Sequence, residues 1–488
     1  MFTGNFVAQL VLVGAILSSL ALLFVRRPEQ TAVNIWIGGM LFLPCAAGIK
    51  LPFFSALDRN TLPTVILFAT YCMRRPKVVA KSRLGRGLDA MFLVCMAMSI
   101  GTVLTNKESI AVAKYRPDLI AEGLTMQDAF ADARDDLLHL MLPFVLGRLL
   151  VRNSEQARHV LKAFAVGGLI YVPLILFELR MSPLLQTWIY GARPGGSFEQ
   201  ILRGGGFRPE VFMPHGLAVA IFMTMAVFSA FTLAKLRQRF HGISWRPLAI
   251  GLLVILVLCK STGTIAYAAL IVPLLVFGKP RRQMRVATLL AGLFLFYPLL
   301  REANLVPTEA ILSAAESLAG PERAESLGTR LHSEEALLFH MKGKMAFGWG
   351  GYGRSTVYSD YGQPQSIFDG FWITMLCHRG VIFLTALSLA FGWPVVKAGR
   401  RLARVADKDD RTILCGLSLM MGVGLLDLVP NAMLINYPLL LAGAITGFTR
   451  SLLAPGGSAA KLRDGPAAEG GGTKGIDVDP HGVGDRHE

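Results

Sequence analysis

The chain has 488 residues, of which 53% are apolar and only 17% are charged. Soluble domains carry about a quarter charged residues, so this composition excludes a soluble enzyme and predicts a membrane protein. The formal net charge is +16. In a soluble protein such a charge would suggest nucleic-acid binding, but basic residues of membrane proteins collect in cytoplasmic loops, and we expect no nucleic-acid partner.

Neither the cysteines nor the N-terminal run indicates a secreted protein. The six cysteines lie in or beside apolar runs, and no two of them form a CxxC pair. We therefore expect neither a disulfide framework nor a zinc site. Residues 6–25 lack a basic leader and a small-residue cleavage site, so we interpret them as a retained membrane span.

Thirteen apolar runs are candidate membrane spans, since a helix needs roughly 20 residues to cross a bilayer. They lie near 6–25, 32–50, 60–73, 88–105, 137–151, 160–179, 211–234, 247–259, 263–278, 286–300, 371–396, 412–429 and 431–450. The run at 60–73 is short and 247–278 can be divided differently, so twelve spans remain an alternative.

Basic residues predict the orientation of these spans. With thirteen crossings the basic clusters all fall on one side, and the positive-inside rule makes that side the cytoplasm. The clusters lie at 26–27, 74–86, 152–158, 235–246, 279–285 and 397–411. The N-terminus is then outside, and three long extracytoplasmic segments follow at 106–136, 180–210 and 301–370.

We predict an all-α polytopic bundle of about 12 or 13 spans over residues 1–454, with long extracytoplasmic loops. Residues 455–488 are rich in glycine, proline and charge and nearly lack large apolar side chains. That composition predicts a disordered cytoplasmic tail. The sequence shows no matched pair of interrupted spans of the kind that transporters use.

The second extracytoplasmic segment carries a cluster of arginines that the positive-inside rule disfavours. Arg180, Arg193, Arg203 and Arg208 lie close to several glycines. Guanidinium groups bind phosphate bidentately, and glycine lets the backbone approach a ligand. The cluster predicts a site for a lipid pyrophosphate; the alternative is that these arginines extend to lipid headgroups. His215, at the mouth of the next span, is either catalytic or a helix cap.

The third extracytoplasmic segment contains glycines at 348–353 that match GxGxxG. No predicted strand precedes them, so we interpret them as a tight turn and not as a dinucleotide site.

Asp369 stands where the chain re-enters the membrane, at a depth where a carboxylate needs a partner or a function. It is either a catalytic residue or the N-cap of the following helix. We interpret the acidic stretch 128–136 as the solvated face of a helix and not as a metal site.

Four motifs follow one another along the chain. They are Leu146-Gly147-Arg148, then Gly206-Phe207-Arg208-Pro209 with His215-Gly216, then Lys260-Ser261-Thr262-Gly263, then Phe347-Gly348-Trp349-Gly350 followed by Asp369 and Gly380. Because these motifs occur in this order, the chain resembles, over residues 60–450, the O-antigen ligase and polymerase-like superfamily of bacterial membrane glycosyltransferases. Ligases of that superfamily typically have His-Asn at the span entry. Here Asp369-Gly370 stands there, which favours a polysaccharide polymerase.

The resemblance implies a GT-C-like helical fold in the bacterial inner membrane with its active face in the periplasm. It implies polymerisation of polyprenyl-pyrophosphate-linked oligosaccharide repeat units into surface polysaccharide or exopolysaccharide, without a metal or cofactor. The alternatives are an O-antigen ligase that transfers finished glycan to a lipid or protein, and a polysaccharide transporter or flippase. Membrane lipids and polysaccharide export or chain-length proteins are the other expected partners.

Such a transfer assigns roles to the candidate residues. A base must deprotonate the acceptor hydroxyl, and we expect Asp369, or alternatively His215, to be that base. Cations must stabilise the departing pyrophosphate. The expected pyrophosphate-binding residues are Arg193, Arg203, Arg208 and Arg330, and the expected sugar-stacking residues are Trp349, Tyr352 and Trp372.

The predicted orientation can be tested with topology reporters. A reporter fused at Gly85 should be cytoplasmic, whereas one fused at Gly195 or Gly320 should be extracytoplasmic, because the basic clusters stay inside. A cytoplasmic signal at Gly320 would move the third segment to the other side and contradict the proposed location of the candidate site.

Overall fold

The computed structural model describes residues 4–50, 57–82, 84–192, 201–203, 205–434 and 437–453. The predicted tail at 455–488 lies outside the described residues. The first helices are α1 (Phe6–Leu20), α2 (Pro28–Phe42), α3 (Leu62–Arg74), α4 (Pro76–Lys81), α5 (Asp89–Leu104), α6 (Met126–Asp136), α7 (Leu142–Leu150), α8 (Ser154–Met181) and α9 (Leu185–Tyr190). The others are α10 (Gly216–Lys235), α11 (Trp245–Leu258), α12 (Thr262–Phe277), α13 (Pro280–Glu302), α14 (Thr308–Ala319), α15 (Pro321–Met341), α16 (Phe371–Arg401), α17 (Lys408–Asp427) and α18 (Tyr437–Leu452).

Shorter elements complete the chain. A π-helical segment, Leu137–Met141, joins α6 to α7, and 3₁₀ turns follow α1 at Ala21–Leu23 and α16 at Leu402–Arg404. Three two-stranded antiparallel hairpins pair β1 (Ile110–Ala111) with β2 (Ile120–Ala121), β3 (Leu202–Arg203) with β4 (Gly206–Phe207), and β5 (Arg239–Phe240) with β6 (Ile243–Ser244). The prediction of an all-α fold is therefore confirmed, with sheet confined to hairpins in the described residues.

Five helical segments are long and apolar enough to cross a membrane. They are Phe6–Leu23, Ser154–Met181, Gly216–Lys235, Pro280–Glu302 and Phe371–Arg404. Shorter apolar helices lie at Leu62–Arg74, Asp89–Leu104, Trp245–Leu258 and Thr262–Phe277. This composition agrees with a helical membrane protein, whereas the number of spans stays a prediction.

Ion pairs join the helix ends that the charge pattern assigns to the cytoplasm. They link Arg27 with Glu155, Arg75 with Glu29, Arg148 with Asp89, and Arg158 with Asp409. The third of these pairs is bidentate and buried, with nitrogen–oxygen distances of 2.6 and 2.8 Å. These ion pairs bring the starts of α2, α5, α8 and α17 close to the ends of α3 and α7 and to one another.

Close helix packing explains the glycine of the Leu146-Gly147-Arg148 motif. A Cβ atom at Gly147 would lie 2.2 Å from the carbonyl oxygen of Leu440, and one at Gly443 would lie 2.0 Å from that of Phe144. Helices α7 and α18 therefore touch backbone to backbone. Without water in the bilayer, such contacts between small residues are a main source of helix association.

Helix α16 is interrupted at Gly380, whose φ is +81°. A loop that follows α15 fills the interruption: Trp349 N donates to Cys377 O at 2.8 Å, Gly350 N to His378 O at 3.0 Å, and Val381 N to Met345 O at 2.9 Å. The glycine-rich run is therefore a loop that satisfies backbone groups freed by the kink, as a membrane interior demands.

Gly380→Ala tests this arrangement. The new Cβ would lie 2.2 Å from Ala346 O, at a φ that side chains rarely adopt. We expect the free energy of unfolding to fall by roughly 1–3 kcal/mol, measured by thermal unfolding in detergent. Gly251→Ala in α11 is the control, because nothing lies within 4 Å of its Cβ position. Equal stability of the two variants would contradict the assigned role of Gly380.

Candidate functional site

Arg330 and Asp369, predicted as phosphate ligand and base, form an ion pair. Arg330 Nε lies 3.2 Å from Asp369 Oδ2, and the two side chains are 31% and 34% exposed. Arg330 Nη1 also donates to the carbonyl oxygen of Pro430 at 3.2 Å. The pair lies at the end of the bundle opposite the cytoplasmic ion pairs, by the predicted topology, and it remains accessible to a ligand.

Asp369 is not the cap of α16. The N-cap residue is Gly370, and no side chain caps this helix. The first helical N–H, at Phe371, donates instead to the carbonyl oxygens of Leu428 and Asn431 at 3.1 and 3.2 Å. The capping interpretation of Asp369 is therefore wrong, and its carboxylate is left to pair with Arg330.

A second carboxylate, Asp427 at the end of α17, lies near the pair. Asn431 Nδ2 donates to Asp427 Oδ1 at 3.0 Å, and the Tyr267 hydroxyl hydrogen-bonds the same carboxylate. The Arg330 charge acts on Asp427. Arg330 thus pairs with one half-exposed carboxylate, Asp369, and acts electrostatically on a second, buried one, Asp427.

A buried pair fixes the helix that carries Arg330. Glu334 lies one turn further along α15; Arg301 Nε is 3.4 Å from Glu334 Oε2, and the Tyr297 hydroxyl donates to the same oxygen at 3.2 Å. Burial raises the pKa of the Glu334 carboxyl, and the Arg301 charge opposes that shift. This cluster holds α15 against α13 and so positions Arg330.

The predicted sugar-stacking residues have different environments. Trp372 is fully buried and packs against Tyr297, with ring centres 5.2 Å apart, so its ring is covered in this conformation and its stacking role stays a prediction. Trp349 is half-buried and stacks on His340, with ring centres 4.6 Å apart. Tyr352 is 76% exposed, so of the three it alone presents most of its ring to solvent.

Arg208 lies in the second of the three predicted extracytoplasmic segments (the outer segments), His215 lies just after it, and both make contacts within the protein. Arg208 is 1% exposed, none of its guanidinium nitrogens is solvent-accessible, and it packs over Gly216 at the start of α10. A pyrophosphate would not reach it in this conformation, and its phosphate contact stays a prediction. His215 caps α10, because its Nδ1 accepts the backbone N–H of Leu217 at 3.0 Å.

The other two arginines of the predicted phosphate cluster cannot be assigned contacts. Arg193 lies outside the described residues, and Arg203 lies in strand β3, where only its backbone is described. The opposite strand of that hairpin approaches the Lys260 ammonium, which would be 2.5 Å from a Cβ atom at Gly206. The Lys260 turn therefore lies against the second outer segment.

Sequence reasoning gave no role to Glu178, which anchors the second outer segment. It is fully buried, and its carboxylate accepts the backbone N–H groups of Glu210, Val211 and Leu185 at 2.8, 2.6 and 3.3 Å. The available signal was a single acidic residue at the end of an apolar run. A carboxylate there requires internal partners, and the loop backbone supplies them.

The acidic stretch 128–136 is not simply a solvated helix face. Arg379 Nη2 lies 2.6 Å from Asp136 Oδ2, and its Nη1 lies 3.2 Å from Asp132 Oδ2. Burial raises the pKa of the Asp132 carboxyl, and the Arg379 charge opposes it. Among the described residues, no group of three or more His, Cys, Asp or Glu side chains is placed to hold a metal ion.

Arg354 joins the first and third outer segments. It is buried, and its Nη1 donates to the carbonyl oxygens of Glu108 and Glu122 at 3.0 and 2.7 Å, while its Nε donates to Trp349 O at 3.2 Å. Sequence reasoning treated it only as the end of the glycine-rich run. The loop that fills the α16 kink is thereby tied to residues far away in the sequence.

The geometry brings together a half-exposed carboxylate, a half-exposed guanidinium, a buried carboxylate and a phenol. Such a set can accept a proton from a hydroxyl group and bind a phosphate in one site. The sequence matches no known protein-family model, and no curated protein matches it.

Proposed function

We propose that the chain is a metal-independent membrane glycosyltransferase that polymerises polyprenyl-pyrophosphate-linked oligosaccharide repeat units at the periplasmic face of the bacterial inner membrane. The observation that carries the proposal is the Arg330–Asp369 ion pair. Glycosyl transfer from a pyrophosphate needs a base for the acceptor hydroxyl and a cation for the leaving pyrophosphate, and this pair offers one group of each kind. The GT-C-like fold belongs to the same proposal.

Asp369 acts as the general base in this reaction. Its carboxylate takes the proton of an acceptor hydroxyl while the acceptor oxygen forms a bond to the anomeric carbon of the donor. The bond between that carbon and the pyrophosphate oxygen breaks, and its electron pair leaves with the pyrophosphate. The proton thus ends on Asp369 and the electron pair on the pyrophosphate, and this step uses no metal ion.

Arg330 stabilises the leaving group by exchanging partners. In the free protein its Nε faces Asp369. A guanidinium binds phosphate oxygens bidentately, so an arriving donor would draw Arg330 away from the carboxylate. Donor binding then frees the base at the moment when an acceptor is needed.

Asp427 supports the transition state from the buried side. Its hydrogen bonds with Asn431 and Tyr267 fix its carboxylate near Arg330. Glycosyl transfer passes through an oxocarbenium-like state that carries positive charge on the sugar. A fixed negative group beside the reacting carbon lowers the energy of that state.

The ligase alternative uses the same chemistry with a different acceptor, and the product distinguishes the two. Purified protein supplied with defined lipid-linked repeat units should form a ladder of lengthening polymer. Cells that lack a polymerase accumulate single repeat units on the lipid carrier. Loss of a ligase would instead leave unattached long polymer, and loss of a flippase would trap units in the cytoplasmic leaflet.

Asp369→Asn separates the base from a structural role. Asparagine retains a side-chain oxygen but cannot take the proton, and general-base catalysis typically contributes about 10²–10⁴-fold. We expect polymer turnover to fall at least 100-fold, with thermal unfolding near that of the wild type, because half-exposed ion pairs contribute about 0–1 kcal/mol. The measurement is polymer formed by purified variants.

The matched control for this variant is Asp118→Asn. Asp118 pairs with Arg116 at 2.7 Å in the first outer segment and is exposed, so its loss should leave turnover unchanged. His215→Ala removes the cap of α10 and tests the other candidate base. If Asp369→Asn is nearly as active as the wild type while His215→Ala is folded but inactive, the base is assigned to the wrong residue.

Arg330→Ala should abolish polymer formation while the protein still inserts and folds. Arg330→Lys should recover only part of the activity, because an ammonium cannot reproduce the bidentate fork. Arg116→Ala is the matched control on the exposed pair. Arg208→Ala should instead lower thermal stability, since Arg208 is buried. Wild-type turnover in Arg330→Ala would contradict the phosphate-binding role.

A further inference from the structure

A groove runs along the side of the bundle between α13 and α16. A cavity of about 670 Å³ forms one part, and a cavity of about 550 Å³ continues it. The two parts share four lining residues, Arg285, Thr288, Val396 and Arg400. The two cavities are thus continuous, and their volumes lie in the range of small-molecule binding sites.

The walls of the first part are apolar. Leu293, Phe296 and Trp393 line it, and all three are exposed. Gly292 also lines it, and a Cβ atom there would meet no atom within 4 Å. A concave apolar surface of this kind on a helix pair suits a hydrocarbon chain.

The other part of the groove is cationic. Arg281, Arg285 and Arg400 line it, and no ion pair with another described residue neutralises them. The Arg400 guanidinium lies 5.1 Å from the ring centre of Trp393, which joins the cationic and apolar parts. These arginines belong to basic clusters that the charge pattern assigns to the cytoplasmic side.

We propose that this groove binds one anionic phospholipid of the cytoplasmic leaflet. The headgroup phosphate lies between Arg285 and Arg400, and an acyl chain follows the apolar walls past Gly292. Basic pockets between helices on the cytoplasmic side bind anionic headgroups. The charge and the direction of the groove both match such a lipid.

A lipid at this position would brace the helices that carry the candidate site. The outer end of α13 contributes Arg301 to the buried cluster beneath Arg330, and α16 begins directly after Asp369. An acyl chain in the groove fills space between these two helices. The lipid site stands on its own observations and does not depend on the proposed function.

The test uses full-length purified protein in neutral detergent, titrated with dioleoyl phosphatidylglycerol, dioleoyl phosphatidylcholine or inorganic phosphate. Native mass spectrometry counts bound lipid, and thermal unfolding gives the accompanying stabilisation. We expect phosphatidylglycerol to bind at least 10-fold more tightly than phosphatidylcholine. The double variant Arg285→Gln/Arg400→Gln should weaken it by roughly 30-fold, since each basic residue near an anionic headgroup contributes about 1 kcal/mol.

The matched control is Arg282→Gln/Arg404→Gln, which removes the same charge from the same helix ends but from residues that do not line the groove. It should bind phosphatidylglycerol as the wild type does. Gly292→Phe should block the acyl chain and weaken lipid binding, whereas Gly251→Phe in α11, also in open space, should not.

Four results would overturn the proposal. They are equal affinity for the two lipids, equal losses in the two double variants, stabilisation by inorganic phosphate alone that matches the lipid, and wild-type lipid affinity in Gly292→Phe.

Discussion

The interruption of α16 at Gly380 constrains the outer half of the molecule. A membrane-crossing helix has no water to bond a free carbonyl or N–H, so a break must be filled by protein. The loop from Met345 to Gly350 fills it with three backbone hydrogen bonds. That requirement fixes where α15 ends, and Arg330 lies on α15. The position of the candidate guanidinium therefore follows from the need to satisfy backbone groups eleven residues beyond Asp369.

Buried arginines carry this constraint into the other outer segments. Arg354 donates hydrogen bonds to carbonyl groups of the first segment and to Trp349 in the loop that fills the kink, and so joins the two. Arg379, the residue before the kink, pairs with Asp132 and Asp136. Each guanidinium offers five N–H donors in a fixed plane, so one side chain can hydrogen-bond several loop segments at once. These two arginines thus join the first outer segment to the third and to the kink of α16.

The helical class of the fold could be predicted from the sequence, because it depends on composition, whereas the assignment of the basic clusters to the cytoplasmic side stays a prediction. The pairing of Arg330 with Asp369 was not predicted as a contact, although both residues were identified.

The burial of Arg208 and Trp372 was missed, since the type of residue does not reveal what covers it. Of the two roles predicted for Asp369, the N-cap is wrong because Gly370 holds that position, and a capping position depends on backbone angles at one residue. Glu178 had a signal in its apolar surroundings, but two of its three backbone partners are 32 and 33 residues away in the sequence.

Exposure divides the ion pairs of this protein into two kinds. Removing one partner of a buried pair such as Arg148–Asp89 costs about 3–5 kcal/mol, so a pair of this kind cannot open during a reaction cycle. The Arg301–Glu334 pair is equally buried and belongs to the same group. The Arg330–Asp369 pair is half-exposed, and pairs of that kind contribute about 0–1 kcal/mol, less than a bidentate phosphate contact can return. It can therefore open when an anion arrives, while the buried pairs keep the helices in place. A site that binds a charged donor and then frees a base needs an ion pair that can open and re-form. The buried pairs around it must stay closed so that the helices keep their positions.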